Sequence, residues 1–339
     1  MNRTHNCFQS PASRSLVGGP CDIRTKEGMD KSIETCQWSV RTQHRPILKE
    51  DEIDALVAWL SNVTDCSSYP TDSGIPSCGS VVVNGTPMQI PEILFGNNAL
   101  ELCHEPSGLV FLFDARGALK HWVKLFVQGA FEVIKVREAK EWRVRPGTPI
   151  KQQEYDWTWG TDYAGSCRQR PAADEHSEDG NILPPVQTLG TDDDSTVVWV
   201  ACEPGGIDRQ LLQDRSSPIL LYDEVVLFED FIHDHGVVRI SVKTRIMPQC
   251  WFVLLRYWLR VDGVAMKVFD TRCFHKFGEK NVYRERTQYT STFASLEQRG
   301  LATDPSVYAN ADAALPMLEL SSGPFYDYIP ICTDRAKGN

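Results

Sequence analysis

An α+β fold, a mostly antiparallel sheet flanked by helices in one domain, is the class this sequence predicts. Three features of the stretch 222–272 predict it. Val237 to Ile246 alternates, with Val238, Ile240, Val242 and Ile246 on one side and Arg239, Ser241, Lys243 and Arg245 on the other. That period of two marks a strand with one buried face. Cys250 to Val261 is apolar almost throughout, as expected of a central strand covered on both faces. Asp262-Gly263 separates Val261 from Val264, and a two-residue loop of this composition between apolar runs signals a hairpin.

Carried into pairings, these turns place Val261 opposite Val264, Leu259 opposite Met266 and Tyr257 opposite Val268. Closing the preceding hairpin at Pro248-Gln249 places Ile246 opposite Trp251 and Arg245 opposite Phe252. One face then carries Val238, Ile240, Val242, Trp251, Val253, Leu255, Leu259 and Met266. The other is cationic and aromatic together: Arg239, Lys243, Arg245, Phe252, Arg256, Trp258, Arg260, Lys267 and Phe269. A solvated face with long stems lying over rings is the bland reading of it.

The remaining elements follow in chain order. Residues 1–33 are polar and read as a disordered arm. Trp38 to His44 is a short strand. Lys49 to Leu60 is a helix with Ile53, Leu56, Val57 and Leu60 on one face and acidic residues in its first turn, where the dipole favours them. A Ser/Pro/Gly-rich insertion spans about 61–90. Ala99 to His104 and Gly108 to Asp114 are strands, and Leu119 to Val127 fits either helix or strand. Tyr155 to Tyr163 is rich in aromatics. A second, acidic insertion covers about 168–195. Val197 to Ala201 is a strand, and Ile207 to Leu212 begins a turn or helix. Tyr283 to Leu296 closes the ordered region, so that the domain runs from 34 to 296. Residues 297–339 form a tail with one short helix at Ala311 to Leu315, stopped by Pro316.

Composition limits the function. The chain of 339 residues has 35 Lys and Arg against 45 Asp and Glu, a formal charge of −10. That balance opposes nucleic-acid or anionic-membrane binding. Eleven cysteines, scattered without CxxC spacing, read as reduced intracellular thiols. The first residues lack an apolar signal core, and no apolar run is long enough to span a bilayer. The expected location is the cytoplasm, or the nucleus with it.

His233-Asp234-His235-Gly236 invites a metal reading, with His104 or His275 completing the site. A polar turn bent by Gly236 is the simpler account, because no HExxH or cysteine pair supports a metal. Cys250 or Cys273 beside His275 could form a thiol nucleophile, against the alternative of buried structural cysteines. Glu224, Glu229 and Asp230 read as a solvated acidic face, and Gly205-Gly206 as a turn.

The segments PEILFGNNALEL, YDWTWGTDYAG, LYDEVVLFEDFIHDHG, VKTRIMP, LLRYWLRVDGV and DTRCFH, in this order, resemble the TIPRL family, the TIP-like regulators of type 2A-like protein phosphatases linked to TOR signalling. The likeness covers roughly residues 35–295. It implies a non-catalytic protein without cofactors that binds the phosphatase catalytic subunit, with its C-terminal tail, in a cleft. A phosphatase-associated regulatory protein of the TOR pathway is a second implied partner. The matching positions for phosphatase binding are Ile207, Asp270 and Arg272, with Val268 where animal members have methionine. A further aspartate of animal members falls on Gly117. The long insertions mark a fungal or otherwise divergent member. Arg256, Trp258 and Arg260 are the expected peptide-contacting basic and aromatic face. The competing hypothesis is a metal-dependent enzyme centred on His233 and His235.

Overall fold

The structure is a computed structural model that describes residues 23–25, 30–63, 80–83, 86–128, 135–136, 153–154, 161–170, 181–183, 197–232 and 234–331. Most of the arm, the loop 64–79, the aromatic run 155–160, most of the acidic insertion and His233 lie outside these residues.

The chain begins with strands β1 (Ile23–Thr25), β2 (Lys31–Thr35) and β3 (Trp38–Gln43), followed by helix α1 (Glu50–Val63). Then come β4 (Ser80–Val83), β5 (Thr86–Gln89), β6 (Ile93–Leu94), β7 (Ala99–His104) and β8 (Leu109–Asp114), which runs directly into helix α2 (Ala115–Val127). Four short strands follow: β9 (Lys135–Val136), β10 (Gln153–Glu154), β11 (Ser166–Gln169) and β12 (Val200–Ala201). The long strands are β13 (Leu221–Asp230), β14 (Gly236–Ile246), β15 (Cys250–Val261), β16 (Ala265–Lys276), β17 (Asn281–Thr292) and β18 (Glu319–Pro330).

Two antiparallel sheets share one core. The smaller has the order β1-β2-β3-β7-β8-β11, and the larger β12-β18-β17-β16-β15-β14-β13-β6. Their facing sides meet through aromatic rings: Trp38 of β3 lies 5.1 Å from Trp251 of β15, and Phe111 of β8 lies 5.9 Å from it. Large rings bury much apolar area per residue where two sheets meet. Leu56 and Leu60 of α1 are fully buried in the same core, with Ile53 and Val57 packed partly against it. The ambiguous segment at Leu119 is helical. Ala115, Ala118, Leu119, Trp122 and Val123 are buried at a spacing of three and four, and Asp114 accepts the Gly117 N–H at the helix start. The strand reading arose because the apolar run of β8 continues into the helix without a break.

The hairpin at 262–264 differs from expectation. Val264 N–H donates to the Val261 oxygen, but Val261 pairs with Ala265 rather than Val264. The connection therefore holds three residues, with Gly263 at φ +70°, and the whole of β16 shifts by one position. Trp258 faces Val268, Arg260 faces Met266 and Leu259 faces Lys267. A slip of one exchanges faces. Met266 leaves the inner face, while Lys267 and Phe269 leave the outer one. The Pro248-Gln249 hairpin has the expected register, Ile246 to Trp251 and Arg245 to Phe252.

The ends of the chain also depart from the sequence reading. Residues 23–25 and 31–33, assigned to the arm, are in strands. The tail is not free of structure: Glu319–Pro330 pairs along β17. Gly323, Pro324 and Pro330 concealed that strand, since glycine and proline normally argue against one. Near the acidic insertion, Ser166–Gln169 extends the small sheet beside β8, and Leu183 is buried. Within the first insertion β4 and β5 form a hairpin.

Candidate functional site

The outer face of the large sheet, turned away from the small one, has two covers and an open lane between them. The first cover is the segment 293–318, whose Phe293, Leu296, Tyr308, Ala311, Ala314 and Leu318 pack on Trp258, Met266 and Val268. The second is the short helix Arg209–Gln213 with the residues before it. There Ile207, Leu211 and Leu212 pack on Met247, Cys250, Phe252 and Phe274. Asp208 caps this helix by accepting the Leu211 N–H.

The lane follows from the register. One row across the strands is Ser241, Arg256, Asp270 and Thr287; the next is Glu224, Lys243, Leu254, Arg272 and Glu285. Polar residues on a central strand must be paired to be tolerated, and here they pair with one another. Asp270 is fully buried. Its Oδ1 accepts from Arg256 Nε at 2.6 Å, and its Oδ2 accepts from Arg256 Nη2 at 2.7 Å and Arg272 Nη2 at 2.5 Å. Arg272 Nη1 donates to Glu285 Oε1 at 3.2 Å and Thr287 Oγ1 at 3.1 Å. Glu285 Oε2 accepts from Arg209 at 2.6 Å. At the other end Arg256 Nη1 donates to Asp312 of the first cover. Burial works against the Arg256 cation. The hydrogen bonds and charges of Asp270 and then Asp312 outweigh burial and hold it above the usual guanidinium range.

A cleft of about 620 Å³ opens at the Glu285 end, lined by Ile207, Arg209, Phe274, Tyr283, Glu285 and Tyr326 among others. Its rim depends on Gly206, where a Cβ would stand 2.1 Å from the Tyr283 ring.

The expected site residues are thus divided by burial. In the sequence register, Val268 and Asp270 lay on the face opposite Arg256 and Trp258. The observed register puts all of them on one face. Arg256 and Arg272 are in the lane, Asp270 lies beneath them, and Ile207 is half-buried at the cleft wall. Val268 and Trp258 are buried under the first cover. Arg260 ties that cover down by donating to the Pro305 and Tyr308 oxygens and to Asp262. An aspartate at position 117 would need room that Gly117 does not have, with a Cβ 2.8 Å from the Tyr163 ring. Glu285, Arg209 and Asp312 were missed, because their roles depend on contacts made far along the chain.

The metal and thiol hypotheses do not gather. His104 and His275 pack at a tilt against Trp38 in the core between the sheets, whereas His235 is exposed and its carbonyl accepts the Asp262 N–H. Trp251, opposite His275, and Val261, beside Asp262, are at opposite ends of β15. At about 3.3 Å per residue they stand roughly 30 Å apart. Among the described residues no group of three His, Cys, Asp or Glu side chains is placed to hold a metal. Burial pushes the Cys250 thiol up to about 11 and the Cys273 thiol to about 12, so both are protonated at neutral pH. Glu224 pairs with Arg239 and Lys243, and Glu229 with Arg239. Asp230 is buried and accepts the N–H groups of Ile232 and Glu92.

No helix among the described residues is long and apolar enough to cross a membrane. The sequence profile of the TIP41-like family matches residues 93–297. A TIP41-like protein of Arabidopsis thaliana is 38% identical over 226 residues, 65% of this chain and 72% of the relative. A human TIP41-like protein is 35% identical over 211 residues, 61% of this chain and 66% of that one. The type 2A phosphatase activator TIP41 of Saccharomyces cerevisiae is 25% identical over 283 residues, 78% of this chain and 64% of that one.

Proposed function

Because this chain belongs to the TIP41-like family, we propose that it is a phosphatase regulator that works by binding. Its partner in this reading is the catalytic subunit of a type 2A-like protein serine/threonine phosphatase, held in part through that subunit's C-terminal tail. The support is twofold: the name of the yeast relative, a type 2A phosphatase activator, and the lane itself. The observation that carries the reading is the row of arginines between two covers. Arg256 and Arg272 are side by side, each fixed by a buried carboxylate, and the cleft with Ile207 adjoins them. Pre-oriented guanidinium groups next to apolar walls suit an acidic, partly apolar peptide. In this reading Ile207 and Arg272 touch the partner, Asp270 orients the arginines, and Val268 holds the cover that forms one wall. The protein acts without a cofactor, in TOR-linked signalling in the cytoplasm.

Purified type 2A catalytic subunit, titrated calorimetrically, tests this. Ile207→Asp and Arg272→Gln are each expected to weaken binding by about 1–3 kcal/mol, the scale of an interface anchor or a charged hydrogen bond. Wild-type protein that fails to bind the subunit would sink the proposal.

A further inference from the structure

We propose that Arg256 is a carboxylate-binding site, and that Asp312 is its internal occupant. The Asp312 side chain is then a displaceable latch over the lane, carried by a segment whose Ala311 and Ala314 stay packed. The phosphatase as partner rests on the reading above; the chemistry of the site does not.

Two arms of the Arg256 guanidinium are committed to Asp270, which is fully buried. The third, Nη1, is met by Asp312. The Asp312 side chain is 74% exposed, whereas Arg256 is 11% exposed. The occupant of Nη1 therefore sits at the water boundary, where an ion pair is weak and exchangeable, above a buried pair that is neither. The chain of ion pairs holds Arg209, Arg256 and Arg272 against Asp270, Glu285 and Asp312. Three cations balance three carboxylates, so lifting Asp312 away leaves one positive charge in excess, the demand of a single incoming carboxylate.

The neighbouring cations do not compete for it, because Arg239 and Lys243 are engaged by Glu224. The short helix does not require Asp312 either. Asn310 already caps it by accepting the Ala313 N–H, and Ala311 and Ala314 supply its packing. Asp312 lies beyond the residues matched by the family profile, 93–297. The ligand class is a carboxylate on an extended peptide, from a side chain or a chain terminus.

Asp312→Asn removes the charge and keeps the shape. With purified type 2A catalytic subunit at low salt, it is expected to tighten binding about two- to fivefold, the worth of a partly exposed ion pair. Unchanged or weaker binding by Asp312→Asn would overturn the proposal. A second measurement stands apart from the phosphatase: the Arg256 Nε–H resonance, followed by NMR during titration with N-acetylglycine or with N-acetylaspartate amide. The resonance should move at lower ligand concentration in Asp312→Asn than in wild type, and superimposable titrations count against the latch. The compound acting at lower concentration tells whether a chain terminus or a side chain fits better. If the wild type fails to bind the catalytic subunit while the resonance responds as expected, the site stands and its assignment to a phosphatase falls.

Discussion

At the scale of single residues, two buried aspartates, Asp223 and Asp270, hold the charged contacts of the two faces of the large sheet. Asp223 of β13 joins the two sheets: it accepts from Lys31 at 2.7 Å and Thr42 at 2.6 Å, and lies 2.9 Å from His44 Nε2. Burial raises its pKa, but the bonds to His44, Lys31 and Thr42 prevail and bring it from 3.8 to about 2. A depressed carboxylate stabilises the fold above its unfolded pKa and loses that effect as pH falls through the folded one. Asp223 thus adds about 2 kcal/mol at neutral pH, lost between about pH 4 and pH 2. Asp223→Asn should lower the urea midpoint at pH 7, with the gap to wild type closing in acid; a constant gap would refute the assignment. Asp270 is held between two guanidiniums. Asp270→Asn keeps the side chain's shape and removes its charge. With the carboxylate fully buried, the expected outcome is a stability loss of about 3–5 kcal/mol, as when one partner of a buried pair is removed. Lost affinity with an unmoved thermal midpoint would show instead that Asp270 reaches the partner directly.

Among the elements, the hairpins are the most legible and the most exposed to error. Gly263 has positive φ and open space around it. Gly263→Val therefore meets backbone strain alone, about 1–3 kcal/mol, and an unchanged denaturation midpoint would contradict it. The turn residue was readable because its chemistry is local, whereas the loop length was not: two- and three-residue loops both use Asp-Gly, and the choice moves every side chain of β16. Deletion of residues 168–195, an acidic and largely polar stretch, does more than shorten a surface loop. It would remove half of β11 and the Leu183 anchor, along with the Ile182 N–H bond to Gln43. Such a deletion should lower the thermal midpoint, while one confined to 171–180 removes none of these contacts. Equal midpoints for the two deletions would refute that account.

For the molecule as a whole, stability rests on the aromatic seam between the sheets, and the proposed binding lane lies on the opposite face. Trp38 is 1% exposed and touches Trp251, His104 and His275. Trp38→Ala should cost about 3–5 kcal/mol without changing affinity for the catalytic subunit under conditions where the variant is folded. A parallel loss of affinity would tie the seam to the lane.

The sequence by itself determined the antiparallel sheet and the helix at Glu50, because alternation, helical period and turn chemistry are written over a few neighbouring residues. Its motifs also pointed to the family. Only the tertiary structure decided which side Asp270 and Arg272 occupy, since that depends on one residue of loop length. It alone decided that Val268 and Trp258 are covered, because the cover comes from the segment 293–318, which carries little periodic signal. The contact of Arg256 with Asp312 joins residues 56 apart in the chain. No local pattern encodes such a pairing; it exists because the sheet register and the path of the cover place the two charges at one point.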